Sequence, residues 1–179
     1  MFLQVIKNRL PKSQSLLSVY AVIVFMVYTW TLYVFISSFP YWLRFLNISE
    51  ILALLSYAML TNLIESLSLF FLLAGLCVIL PASALKTAFV VRGTVIVICL
   101  LVAILVFLNN NTPTNLAPSQ LIMRSLAVIL AVIIISFVAP KLRFVATVFT
   151  WLSENMTIFL YIYIPMTILA SLVVLVRNL

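Results

Sequence analysis

Residues 95–108 read VIVICLLVAILVFL. The run contains no charge and no alternation of polar with apolar side chains. It lies inside an uncharged stretch from 93 to 123, and two more uncharged stretches cover 13–43 and 155–176. Each can cross a hydrocarbon core of about 30 Å, which takes roughly 20 helical residues. Backbone groups in lipid must bond internally, so such a segment is a helix or a strand of a closed barrel. Barrel strands alternate polar and apolar faces. Segments that are apolar all round are helices.

The rest of the composition agrees. Of 179 residues, 66% are hydrophobic and 7% are charged, whereas soluble domains carry about 25% charged residues. The net charge of +7 comes from ten basic residues scattered between apolar runs. Basic residues placed in this way set membrane topology and do not build a nucleic-acid surface, so no nucleic-acid partner is expected.

Several chemistries lack their residues. The chain has no histidine, which excludes His-held haem, His metal sites and a His proton relay. Cys77 and Cys99 both fall in apolar segments and read as packing residues. Gly75 and Gly93 are the only glycines, so there is no Gly-rich phosphate loop. No Ser–His–Asp set and no carboxylates paired closely in sequence occur. A nucleophile, base and stabiliser cannot be assembled; the expectation is a non-enzyme without cofactor or metal. Asn47-Ile-Ser49, Asn110-Asn-Thr112 and Asn155-Met-Thr157 match the glycosylation pattern, a match common by chance.

The pattern predicts an all-α membrane protein, a polytopic bundle of about five transmembrane helices with interfacial helical segments, forming a single domain over 1–179. The apolar run after the basic lead 1–12 exceeds a signal-peptide core and is followed by no A-x-A cleavage pattern, so it reads as a retained first span, about 15–39, ending at Phe39-Pro40. Tyr41, Trp42 and Arg44 suit the interface. Residues 47–80 are too long for one upright span. Asn47-Ile-Ser-Glu50 and Asn62-Leu-Ile-Glu65 both resemble a capping box. An interfacial helix at 47–60 followed by a span at 61–80 is therefore preferred, with a single tilted or kinked helix as the alternative. Further spans are expected at about 87–108, 121–139 and 155–176, the last with a kink at Pro165. PASALK (81–86) and NNNTPTNLAPSQ (109–120) are links. KLRFVATVFTWLSEN (141–155) is an interfacial segment, and Trp42 and Trp151 fit an aromatic belt.

Five spans with a cytoplasmic N-terminus put Lys7, Arg9, Lys12, Lys86, Arg92, Lys141 and Arg143 inside, and Arg44, Arg124 and Arg177 outside. This satisfies the positive-inside rule.

Ionisable residues within a membrane are functional candidates, and the acids are only Glu50, Glu65 and Glu154. Glu65 stands among Thr61, Asn62, Ser66 and Ser68. Thr61 and Ser68 share its helical face at four and three residues' distance. Thr61, Asn62, Glu65, Ser68 and Arg124 form the candidate intramembrane polar site, with a Glu65–Arg124 pair near the outer surface. Arg92 and Glu154 form a second candidate ion pair near the inner surface. Tyr161 and Tyr163, flanking Pro165, line a cavity or contact lipid and helix.

The stretch SEILALLSYAMLTNLIESLSLFFLL (49–73), with VVRGT (90–94) after it, resembles small uncharacterised bacterial multi-pass membrane proteins. The resemblance implies a bacterial inner-membrane protein and transfers no activity or site. The functional expectation is a non-enzymatic accessory or structural subunit that meets the lipid bilayer and binds a membrane-protein partner or further copies of itself. The alternative is a small transporter or channel with a cation or proton site at Glu65.

Overall fold

The computed structural model describes residues 11–79, 88–110 and 118–179. Among the described residues six helices follow one another: α1 Ser13–Trp42, α2 Ile48–Ile79, α3 Phe89–Asn110, α4 Pro118–Val138, α5 Arg143–Asn155 and α6 Thr157–Asn178, with a 3-10 turn at Ala139–Lys141. No strand occurs among the described residues. Among the same residues five helical segments are long and apolar enough to cross a membrane. The basic positions Lys7, Arg9 and Lys86, the whole PASALK link and the sequon residue Thr112 lie outside the described residues.

Helix α1 passes Pro40 and ends at Trp42, slightly beyond the expected stop. Proline lacks one N–H donor, yet the terminal turn closes around it: the Leu43 amide donates to the Phe39 carbonyl at 3.1 Å, and Leu46 to Trp42 at 2.8 Å.

Helix α2 resolves the ambiguity of 47–80. It is one helix of 32 residues, the alternative to a surface helix followed by a separate span. The two Asn-x-x-Glu signals are used differently. At the first, the Glu50 carboxylate accepts from the Asn47 amide at 2.8 Å, and the Asn47 carbonyl accepts from Glu50 and Ile51. The carboxylate reaching back to the Asn47 amide is the Glu half of a capping box, and the Asn47 carbonyl opens the helical ladder. At the second, the helix runs on. Capping needs free amides, and inside hydrocarbon an unbroken ladder leaves none unpaired. Helix α6 likewise runs through Pro165 as a single element.

Contacts divide the chain into two compact units where the sequence reads as one domain. One contains residues 1–19 and 77–154; the other contains 20–76 and 155–179.

In the first unit, α3, α4 and α5 meet. Val91, Val95 and Ala139 are buried together, and Cys99, Val145, Ala146 and Phe149 pack against them. Thr94 is fully buried, its hydroxyl bonded to the Val90 carbonyl. Pro118 opens α4 at a position where a missing N–H does no harm. Helix α5 is amphipathic with two apolar edges. Val145, Ala146 and Phe149 point into the unit, while Phe144 and Trp151 stand outward at 81% and 63% exposure. Lys141 and Arg143 at its start are also exposed. This is the pattern of a helix lying in a membrane interface.

In the second unit, α1, α2 and α6 pack lengthwise. Tyr20 meets Phe70 with ring centroids 5.2 Å apart, and Thr31 meets Asn62; α1 and α2 are antiparallel. Phe25 meets Phe159 at 4.6 Å and Thr29 meets Tyr163; α1 and α6 are parallel. Val22, Ile23, Tyr28, Met59, Ser66, Leu160, Tyr163, Thr167 and Ala170 form the buried interior.

Candidate functional site

The second unit holds the polar residues the sequence singles out, and it sorts them onto two faces of α2. Asn62 and Ser66 are buried, at 3% and 0% exposure. Thr61, Glu65 and Ser68 are exposed. A helix turns about 100° per residue, so Glu65 and Asn62 diverge enough for packing against α1 to separate them.

The buried face is a hydrogen-bonded seam. The Thr31 hydroxyl donates to Asn62 Oδ1 at 2.8 Å. The amide nitrogen Nδ2 of Asn62 is buried with no partner among the described residues. Ser66 Oγ donates to the Leu63 carbonyl. One turn away, Tyr28 Oη lies 2.8 Å from Thr167 Oγ1 and 3.4 Å from the Met59 carbonyl. Thr167 Oγ1 donates to the Tyr163 carbonyl at 2.7 Å. With one proton on each hydroxyl, these distances give the order Tyr28 to Thr167 to the Tyr163 carbonyl. Met59 is then a secondary acceptor. The Tyr28 and Tyr163 rings stack at 4.9 Å. The Tyr163 hydroxyl lies 3.2 Å from Thr29 Oγ1. Tyr161, two residues earlier, points outward at 81% exposure. Of the two tyrosines flagged beside Pro165, only Tyr163 belongs to the interior.

The exposed face carries the charge. Glu65 lies about 26 Å from the Ile48 end of α2 and about 21 Å from the Ile79 end, at roughly 1.5 Å per residue. It therefore stands near the middle of the helix. Thr61 Oγ1 bonds back to the Tyr57 carbonyl at 3.0 Å, so its polar atom is folded onto its own helix. The carboxylate remains as the dominant polar group of that face.

Glu65 belongs to one unit and Arg124, exposed on α4, to the other. Arg92 and Glu154 share the first unit. The half-buried Arg92 guanidinium lies 5.0 Å over the Phe137 ring, a cation–π contact that the sequence reading did not include. Glu154 is exposed near the end of α5. No group of three or more His, Cys, Asp or Glu able to hold a metal occurs among the described residues.

A cleft of about 160 Å³ opens in the second unit between α2 and α6, floored by α1. It is lined by Tyr20, Val24 and Tyr28 of α1, Leu60 and Leu63 of α2, and residues of α6 from Tyr163 to Ser171. The sequence reading missed Tyr28, Thr29, Thr31 and Thr167. Tyr28, Thr29 and Thr31 follow one another closely in one uncharged run and Thr167 lies in another, and only the packing of α1, α2 and α6 brings them together.

The fold defines an all-α membrane protein, a bundle of helices five of which can span a bilayer. The chain matches no known protein-family profile, no curated protein and no solved structure.

Proposed function

We propose that this protein is a non-enzymatic accessory subunit of the bacterial inner membrane, one that binds a membrane-protein partner through the Thr61–Glu65–Ser68 face of α2. The carrying observation is the exposed carboxylate of Glu65 near the middle of a 32-residue apolar helix. A carboxylate facing hydrocarbon at that depth costs about 2.5–3.5 kcal/mol on the insertion scale. A partner helix bearing a basic or hydrogen-bond-donating side chain at the same depth removes that cost and gains a charge-assisted bond.

The parallel run of α1 and α6 supports the proposed topology. Two parallel helices in one unit require an odd number of crossings in all, which five spans satisfy. With the N-terminus cytoplasmic, the basic residues around α5 lie inside, as the positive-inside rule prefers.

The transporter alternative needs Glu65 on a hydrated path. Glu65 is absent from the lining of the cleft, so the cleft gives that reading no support. The test is affinity purification from mild detergent with mass spectrometry of what co-purifies, for the natural chain and for Glu65→Leu. A stoichiometric membrane partner with the natural chain, lost with Glu65→Leu, supports the proposal. A lone homo-oligomer, together with proton or cation flux abolished by Glu65→Gln, overturns it in favour of the transporter.

A further inference from the structure

The geometry points to the cleft between α2 and α6 as a binding site for one acyl chain of a bilayer phospholipid. Four observations converge on this occupant.

The first is shape. The lining follows Tyr20, Val24 and Tyr28 along α1, and Ile164, Ile168 and Ser171 along α6. These series span about 12 Å and 10 Å of helix at roughly 1.5 Å per residue. The cleft is therefore an elongated trough parallel to the helix axes, the direction in which lipid chains lie.

The second is access. Val24, Tyr28, Tyr163 and Thr167 form a buried floor, while Ile164 and Ile168 on the rim are 48% and 56% exposed. Tyr28 in that floor stands midway along α1, a level that in a bilayer-spanning helix is hydrocarbon.

The third is the state of the polar atoms. Tyr28 and Thr167 direct their protons into the chain that ends at the Tyr163 carbonyl. Ser171 Oγ donates to the Ile168 carbonyl at 2.6 Å, and the Tyr163 hydroxyl is engaged with Thr29. The Tyr28, Thr167 and Ser171 hydroxyls in the trough thus offer a polar ligand no free donor. Among the described residues, Tyr20 carries the one lining phenol that takes part in no hydrogen bond. It lies at the end nearest the start of α1, so the ester end of the lipid belongs on that side.

The fourth is size. An apolar cavity of about 150 Å³ stays dry and takes a benzene-sized apolar guest. The trough has about 160 Å³ and is open along one side, so a chain segment of that bulk fills it and restores the dispersion contacts that an empty trough forfeits.

The experiment uses the full chain in phosphatidylcholine vesicles doped with a phosphatidylcholine that carries a diazirine midway along one acyl chain. After irradiation, labelled residues are mapped by mass spectrometry. Labelling at Leu63, Ile164 and Ile168 is expected to exceed severalfold that at Ile133 and Ile135, exposed residues of α4 that report ordinary lipid contact. Ser171→Phe, which fills the trough, should bring rim labelling down to the α4 level and leave α4 unchanged. If Ser171→Phe does not fold, Leu63→Phe serves the same purpose. Rim labelling no higher than that of α4 in the natural chain overturns the proposal, as does rim labelling that a filled trough leaves intact. Cross-links from the rim to a second copy of the chain also overturn it.

Discussion

The phenol of Tyr28 and the hydroxyl of Thr167 stand 2.8 Å apart in the buried interior of one unit, and this bond joins α1 to α6. Hydrogen bonds between transmembrane helices contribute about 0.6 kcal/mol on average and up to about 1.7 kcal/mol. Tyr28→Phe and Thr167→Val are each expected to lower the thermal midpoint in detergent by a few degrees. The double variant should cost less than the sum of the two, because each single change already breaks the one bond that the two hydroxyls share. Additive effects in a thermal-shift cycle would show that the bond contributes nothing.

At Thr31 and Asn62 the bond sits beside a donor that already lacks a partner. Replacing Asn62 by leucine removes that orphan along with the bond. Asn62→Leu combined with Thr31→Val is therefore expected to lie within about 0.5 kcal/mol of the natural stability, whereas Asn62→Ala, which opens a void, should cost about 1–3 kcal/mol. Denaturation in mixed micelles measures both.

For Glu65 the prediction is a split between folding and association. Its carboxylate is exposed, so Glu65→Gln and Glu65→Leu should leave the thermal midpoint of the isolated chain unchanged or slightly raised. Recovery of the partner should fall at least tenfold. A loss of several degrees in the isolated chain would mean that the carboxylate is held within the fold.

The cap at Asn47 offers a local test. Glu50→Ala removes the carboxylate that accepts the Asn47 amide at 2.8 Å and is expected to destabilise the start of α2 by about 1 kcal/mol. Glu50→Gln, which keeps an acceptor oxygen, should retain most of that stability. Amide hydrogen exchange at Asn47 and Ile51 reads the effect directly.

The topology is tested by labelling. With Cys77 and Cys99 replaced by alanine, single cysteines at Ser13 and Asn178 are expected to react with an impermeant maleimide from opposite sides of a sealed vesicle. Reaction from the same side would require an even number of crossings and contradict the parallel run of α1 and α6.

Much of the architecture is legible in the residues because the bilayer imposes a simple rule. A long apolar stretch must be a helix, so α1, α3, α4 and α6 appear close to where the uncharged stretches put them, and Pro140 marks the end of α4. The amphipathic α5 is equally visible from its alternating basic, aromatic and small residues. Residues 47–80 were harder for a physical reason. A capping signal is a local preference worth about 1 kcal/mol, and the same Asn-x-x-Glu pattern acts as a cap at Asn47 but is overridden at Asn62, where helical residues precede it. The polar strip around Glu65 is legible in the sequence, but its division into an exposed carboxylate and a buried amide depends on which way α2 faces α1. The Tyr28–Thr167 bond joins residues 139 positions apart, a pairing that no local spacing encodes.

The unit built from α1, α2 and α6 is discontinuous in the chain, being interrupted between Leu76 and Asn155. On a ribosome adding about 5–20 residues per second, the helical hairpin of α1 and α2 waits on the order of ten seconds for its third member. During that interval the Thr167 hydroxyl does not yet exist, and the Tyr28 proton has the Met59 carbonyl, 3.4 Å away in the finished fold, as its nearest acceptor. The weaker bond of the mature protein can thus join the Thr31–Asn62 bond in holding the nascent hairpin, and the arrival of α6 exchanges it for the shorter contact.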